Sequence, residues 1–221
     1  MTTYLVTGAN RGIGYEYCKQ LKDRGDKVIA VCRHSSDELD QLGVQVETDI
    51  DISDKKAVQT LATTLKGQSI DVLVNNAGIY RQSSLSDLNL EGIREQFEVN
   101  ALGPLRVTQA LLPNLKKGSK VAIMTSRMGS IEDNTSGSTY GYRMSKTAVS
   151  MAGKSLSQDL KSKGIAVAIL HPGLVSTGMT NFNDSGISPA ESVKGLLSRI
   201  DQLTLDTTGT FWHANGEVLP W

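Results

Sequence analysis

Short apolar runs alternate along this chain with longer stretches whose apolar positions recur at helical spacing. Tyr4-Leu5-Val6 is the first run, and Tyr15 to Arg24 follows with a helical pattern that stops at Gly25. Lys27 to Cys32 reads as a second strand and Gly43 to Glu47 as a short third. Ala57 to Leu65 is helical, with Ser53 as its expected cap. Ile70 to Val74 is apolar except for Asp71, the pattern of a strand buried on both faces. Leu90 to Lys117 is helical but for Gly103-Pro104, and Asn100 interrupts its apolar pattern nearby; a polar residue beside such a break predicts a locally opened hydrogen-bond ladder. Val121 to Thr125 and Ile165 to Leu170 are the fifth and sixth strands. Between them lie a Gly/Ser/Thr/Asn-rich loop, 129–141, and a long helix, Tyr142 to Lys163, that ends at Gly164. The stretch 178–188 is polar and irregular, a candidate substrate loop. Pro189 to Arg199 is the last helix, begun by Ser188 as cap, and Gly209 to Trp221 is extended with a turn at Asn215-Gly216.

Repeated strand and helix alternation makes a parallel sheet covered on both faces, and ligands bind such sheets at the strand carboxyl ends. The expectation is an α/β chain with one domain over 1–221, a Rossmann-type doubly wound parallel sheet with helices on both faces. The chemistry-bearing residues all fall at strand ends. Gly8, Gly12 and Gly14 sit in Thr7-Gly8-Ala9-Asn10-Arg11-Gly12-Ile13-Gly14, between the first strand and the first helix. Glycines there let the backbone turn tightly and lie against a pyrophosphate, which rests on the amides at the positive end of the helix. A glycine turn with no ligand is the plainer alternative. The second strand ends without the carboxylate that would accept bonds from a ribose, and Arg33 stands there instead, with Arg11 in the glycine turn. Two guanidinium groups at this place favour a 2′-phosphate, hence NADP(H); taken singly, each reads equally as a solvated charge.

Tyr142 and Lys146 lie four apart at the start of a helix, and Ser126 ends the strand before it. Residues four apart share a helix face, so phenol and ammonium point into one space. A free phenol titrates near 10, and a neighbouring cation lowers it toward the range useful for proton transfer. The spacing alone also fits an exposed helix face with a solvated lysine. Its company, a glycine turn, Asn75-Asn76-Ala77-Gly78 after the fourth strand and Ser126 just upstream, supports the catalytic reading.

Composition narrows the field further. With 221 residues the chain suits one large domain, and its 23 basic and 23 acidic side chains give no net charge, so a nucleic-acid surface is not expected. Cys18 and Cys32 belong to no ligand cluster and read as free buried thiols in a reducing compartment; His34, His171 and His213 are too scattered for a metal site. No apolar span is long enough for a membrane, and the expected location is cytoplasmic.

Taken together, TGANRGIG, NNAG, Asn100, Ser126, YRMSK and HPGLVST resemble the short-chain dehydrogenase/reductase family, in the family's order and over nearly the whole chain. The phrasing TSRMGSI, the SPAES helix and the ending NGEVLPW are similar to sniffer-type carbonyl reductases and the C-factor group. The resemblance implies that Ser126 bonds the substrate oxygen, Tyr142 transfers the proton, Lys146 holds the nicotinamide ribose and lowers the Tyr142 pKa, and Asn100 supports a water relay to Lys146. It implies that Asp51 and Ile52 border the adenine, that Asn76, Ala77 and Gly78 line the cofactor cleft beside Gly8, Asn10, Arg11, Gly12, Ile13 and Gly14, that Pro172, Gly173 and Val175 also bind the cofactor, and that Thr177 meets its carboxamide. The expected activity is NADPH-dependent reduction of a ketone or aldehyde, with a dinucleotide-dependent signalling or scaffold protein of the C-factor type as the alternative. The loop before Tyr142 is longer than is common in the family, which makes Ser130 a rival to Ser126. Tyr80, Met128 and Phe182 are expected walls of the substrate pocket. A homodimer is expected through the helices carrying Leu105, Leu112, Val149 and Leu156, unless these four pack on the sheet instead.

Overall fold

The alternation folds into one wholly parallel sheet of seven strands: β1 (Thr3–Thr7), β2 (Lys27–Val31), β3 (Gln45–Glu47), β4 (Val72–Asn75), β5 (Lys120–Met124), β6 (Ala166–His171) and β7 (Phe211–His213). The computed structural model describes residues 1–221. Strand order is β3-β2-β1-β4-β5-β6-β7, so the direction of winding reverses between β1 and β4 and opens a crevice at their carboxyl ends. Each strand end named as a candidate site therefore reaches the same edge of the sheet.

Helices cover both faces. On one, α1 (Gly12–Asp23) and α7 (Pro189–Gln202) bury Tyr17, Leu21, Leu196 and Ile200 against Val6, Ala30, Val74 and Leu170. On the other, α3 (Lys55–Thr64), α5 (Gly103–Ala110) and α6 (Tyr140–Asp159) bury Leu61, Val107 and Val149 against Leu5, Leu73, Ile123 and Val167. Alternate strand residues feed alternate faces, which is why these strands read as nearly unbroken apolar runs. A short helix that the periodicity does not reveal, α2 (Asp37–Gln41), contributes only Leu39 to the core.

The expected break near Asn100 is a π-helical turn. α4 (Leu90–Phe97) runs into Glu98–Leu102, where the ladder widens, and α5 resumes at Gly103 with Pro104 in its first turn. Proline has no amide to donate, and a Cβ at Gly103 would stand 2.7 Å from Ile52 Cδ1, so both residues of the break have a packing reason. Three expectations are corrected. Asp54, not Ser53, caps α3, through a bond from the Lys56 amide, because the Ser53 hydroxyl is committed to Asp51. α6 begins at Tyr140, one half-turn before Tyr142, since Thr139 in the left-handed region ends the loop there. Val149 is fully buried and Leu112 and Leu156 are half-buried against the core, so of the four side chains expected at a partner only Leu105 is exposed. Ser188 caps α7 as expected, accepting from the Glu191 amide. No helix is long and apolar enough to cross a membrane.

His171 ends β6 in register with His213 of β7, the two rings meeting edge to face at 4.9 Å. Burial, then the charges that His213, Arg127 and Lys146 direct at it, hold the His171 imidazole down to about 3. Its folded pKa lies below its unfolded one. Between about 6.5 and 3 the unfolded chain therefore takes up a proton that the folded chain refuses, and stability falls as pH drops through that window. At pH 5 the deficit from this residue is about 2 kcal/mol. His171→Gln should flatten the loss of unfolding free energy between pH 7 and pH 5, as read from urea titrations at the two values; an equal loss in both proteins would remove His171 as its source.

Candidate active site

The cleft begins where β1 turns into α1. Gly8 and Gly12 have φ of +66° and +56°, a backbone open to few other residues, and a Cβ at Gly14 would stand 2.0 Å from the Gly8 carbonyl oxygen. Arg11 precedes α1 in extended conformation and its side chain does not cap the helix. The first amides of α1 are thus uncapped, at the end of a helix where partial positive charge gathers, above a cradle that any side chain would fill. The β4 turn is sewn to this one. Thr7 Oγ accepts from the Asn76 and Ala77 amides at 3.0 and 3.1 Å, Asn76 Nδ2 donates to the Thr7 carbonyl at 2.9 Å, and Gly8 lies directly against Ala77. This arrangement fits a dinucleotide's pyrophosphate.

At the adenosine end, Arg11 and Arg33 are both exposed, and Arg33 lies 3.8 Å from Asp51. Burial pushes the Asp51 carboxyl up, but the Ser53 hydroxyl and amide and the Arg33 charge outweigh it and hold it below its ordinary value. Ile52 is buried under Gly103. Across the cleft, Gly173 (φ +87°) backs onto His213 and Ile187, Pro172 accepts from the Ser192 hydroxyl, and Val175 is buried in a bridge to Ile187. The Thr177 methyl would stand 3.5 Å from a Cβ at Gly12, so the segment after β6 closes over the glycine turn. Ile13 packs on the core and Asn10 is half-buried in the turn.

The side chains expected to handle the proton lie at the centre. Asn100, held by the π-turn and 1% exposed, accepts from the Ile79 amide at 2.8 Å and donates to the Ile79 carbonyl and Ser145 Oγ. A Cβ on Gly78 would lie 3.2 Å from Asn100 Oδ1 and 3.5 Å from Lys146 Nζ, which places both groups at one glycine. Lys146 is buried, its ammonium donating to the Met124 carbonyl at 3.0 Å and lying 5.7 Å from the centre of the Tyr142 ring. Tyr80 meets the Tyr142 ring edge to face at 5.2 Å.

The expected depression of the phenol is not what this geometry gives. Burial pushes Tyr142 up to about 12, against the hydrogen bond of Ser126, while Tyr80 adds to the rise. Lys146 is itself lowered to about 8 by burial, so its charge is costly where it sits and is turned toward a carbonyl. The Ser126 hydroxyl is the group placed to bring the phenol down.

Ser126 and its rival separate cleanly. Ser126 Oγ accepts from the Met128 amide at 3.1 Å, leaving its own proton for the cleft. Ser130 donates to the Trp221 main-chain oxygen and accepts from the Asp133 amide, so its hydroxyl is fully used away from Tyr142. Met128 lines a cavity of about 180 Å³ with Tyr140, Arg143 and Met144 that neither Ser126 nor Tyr142 lines. Of the expected walls, Tyr80 packs edge to face on the Tyr142 ring, the Met128 amide bonds Ser126 Oγ, and Phe182 is 69% exposed with its ring tip beside Gly178. His171, which approaches Lys146 and Arg127 from β6, escaped sequence reading because no partner stands near it in sequence.

Comparison with known proteins agrees with this arrangement. Residues 2–187 match the family model described as short chain dehydrogenase. The chain is 42% identical over 226 residues, all of both chains, to the 1-hydroxy-2-glutathionyl-2-methyl-3-butene dehydrogenase of Rhodococcus sp. (strain AD45). It is 42% identical over 167 residues to the C-signal of Myxococcus xanthus, covering 74% of this chain and 100% of that protein. The crystal structure of NADPH-bound carbonyl reductase from chicken fatty liver superposes with a TM-score of 0.91 at 29% identity, covering 100% of this chain and 99% of that one. Glycine turn, strand order and sequence thus converge, and the chain belongs to the short-chain dehydrogenase family of oxidoreductases.

Proposed function

We propose that this oxidoreductase is an NADPH-dependent carbonyl reductase acting on a ketone or aldehyde. The observation that carries the reading is the convergence of Asn100 Oδ1 and the buried Lys146 ammonium at Gly78, with the Tyr142 ring 5.7 Å from that ammonium. The amides of Gly12, Ile13 and Gly14 would hold the pyrophosphate, Arg11 and Arg33 the 2′-phosphate, and Lys146 the nicotinamide ribose. When bound, NADPH supplies the hydride. Ser126 donates a hydrogen bond to the substrate oxygen, and Tyr142 gives that oxygen its proton as charge develops on it. A phenol held near 12 keeps its proton at neutral pH until a strongly basic oxygen forms beside it, which suits a donor better than a base. Asn100 fixes the Ile79 backbone and so the wall between Gly78 and Lys146.

A second reading rests on the C-signal relationship: a signalling or scaffold protein that binds the dinucleotide and in which turnover is incidental. Incubating the purified protein with NADPH and a panel of reactive ketones and aldehydes separates the two. Tight cofactor binding without turnover of any of them would favour the scaffold.

Tyr142→Phe should abolish turnover while leaving NADPH affinity within a few fold, and Lys146→Met should damage both. Retention of more than about a tenth of kcat by Tyr142→Phe, a loss below ~1.4 kcal/mol, would remove the phenol as proton donor.

For the cofactor, kcat/KM with NADPH should exceed that with NADH by at least about tenfold at moderate ionic strength, and the ratio should narrow with salt because both arginines are exposed. Arg33→Asp should invert the order by repelling the phosphate and offering the ribose an acceptor. Equal efficiency with the two cofactors would make Arg11 and Arg33 surface charges.

We also propose a homodimer, through the apolar side chains that α5, α6 and the π-turn do expose: Leu102, Leu105, Met144 and Met151. Light scattering should give twice the chain mass at micromolar concentration, and Met151→Glu should return it to the monomer value; a monomer mass for the unaltered protein excludes the dimer.

A further inference from the structure

We propose that Trp221 is a positioning residue for the Ser126 hydroxyl, acting through the loop that follows it. The proposal rests on the reading of Ser126 as the group that binds the substrate oxygen. Ser126 ends β5 and caps a single 3-10 turn, Arg127–Gly129. One flank of that turn is pinned to α6. A Cβ at Gly129 would stand 2.7 Å from the Lys146 carbonyl carbon, and Thr147 Oγ donates to the Gly129 carbonyl at 2.8 Å.

On the other flank three donors converge on one atom. The Trp221 main-chain oxygen accepts from the Ile131 amide at 2.7 Å, the Glu132 amide at 3.0 Å and Ser130 Oγ at 2.9 Å. What holds that oxygen in place is the indole, which stacks on Phe211 at 5.4 Å with planes 29° apart and carries Lys154 Nζ 5.9 Å above it. Farther along, the loop is tied to other elements: Arg143 donates to the Gly137 carbonyl and Ser136 Oγ, and the Ser83 carbonyl accepts from the Thr139 amide and Ser138 Oγ. Without the oxygen, two amides and a hydroxyl lose their acceptor together, and the turn keeps only its bonds to α6, from Thr147 to the Gly129 carbonyl and from Arg143 to the Met128 carbonyl, and the Arg127–Asp133 ion pair within the loop.

Trp221 itself is 46% exposed, and removing its ring uncovers one face of the buried Phe211 ring, so the variants that keep a ring or leave Trp221 in place carry the test if Trp221→Ala does not fold. A hydroxyl that drifts by a fraction of an ångström no longer meets the substrate oxygen as charge develops, and displacement of about 1 Å costs on the order of a hundredfold in rate. The effect should fall on kcat, because the glycine turn lies on other elements.

The test compares Trp221→Ala, Trp221→Phe and Ser130→Ala with the unaltered protein in steady-state kinetics, NADPH titration and amide hydrogen exchange. Trp221→Ala should lose about ten- to a hundredfold in kcat with the NADPH dissociation constant within about threefold, and the Ile131 and Glu132 amides should exchange faster. Trp221→Phe, which keeps a ring on Phe211, should recover most of the rate. Ser130→Ala, which removes one of the three bonds and little packing, should lose severalfold, and it decides the matter if Trp221→Ala does not fold. The pH profile adds a readout that loosened packing alone would not move: a displaced Ser126 no longer lowers the phenol, so the limb assigned to Tyr142 shifts upward in Trp221→Ala. Full kcat in Trp221→Ala with those amides loosened, or unchanged exchange at Ile131 and Glu132, overturns the proposal. Should the unaltered protein reduce no carbonyl at all, the reductase reading fails, while amide exchange in the Ala and Phe variants still reports whether Trp221 holds the loop.

Discussion

The architecture depends on how closely two turns approach. Gly8 touches Ala77 and Gly14 touches the Gly8 carbonyl, so the ends of β1 and β4 are in backbone contact at the point where the sheet changes its winding direction. Any side chain at these places would wedge the strands apart. The contact does two things at once. It exposes the start of α1 as a ring of free amides, and it fixes Asn76 to Gly78 so that Gly78 lies beside Asn100 and Lys146. A steric condition at the sheet's edge thereby sets the distance between the cradle for a pyrophosphate and the groups that handle a proton.

Burial, more than charge pairing, decides the electrostatics around Tyr142. Lys146 has a carbonyl for a partner and no carboxylate, so its ammonium is weakened by burial, and the phenol beside it is raised by the same cause. A hydroxyl that arrives with its proton free, as that of Ser126 does, then has more influence on the phenol than a cation facing elsewhere. The π-turn belongs to the same economy of space, since it lets Asn100 leave the helical register and satisfy both backbone groups of Ile79.

Much of this was legible in the sequence, for physical reasons. Parallel strands buried on both faces leave unbroken apolar runs, and a fourfold spacing on a helix places Tyr142 and Lys146 together before any coordinates exist. A Gly-Pro pair beside Asn100 announced the widened turn. What escaped depends on depth or on a shift of one residue. Ser53 and Asp54 both suit a cap, and only the competing bond to Asp51 decides between them. Helical periodicity reports that Val149 and Leu156 are apolar, but not that the sheet rather than a partner covers Val149. The phenol's rise needs the thickness of protein around it, and Ser130 could be set aside only once its hydroxyl was seen bonded to Trp221.

The bonds from residues 130–132 to Trp221 join places up to 91 residues apart along the chain. The first four strands and α1 can gather the glycine turn from contacts made early in synthesis, but the loop after β5 finds its acceptor only when the chain has been made as far as Trp221 and β7 has docked on β6. Distant contacts of this kind form late and slowly in folding. The glycine turn and the loop beside Ser126 are therefore completed at different stages of folding, the loop last.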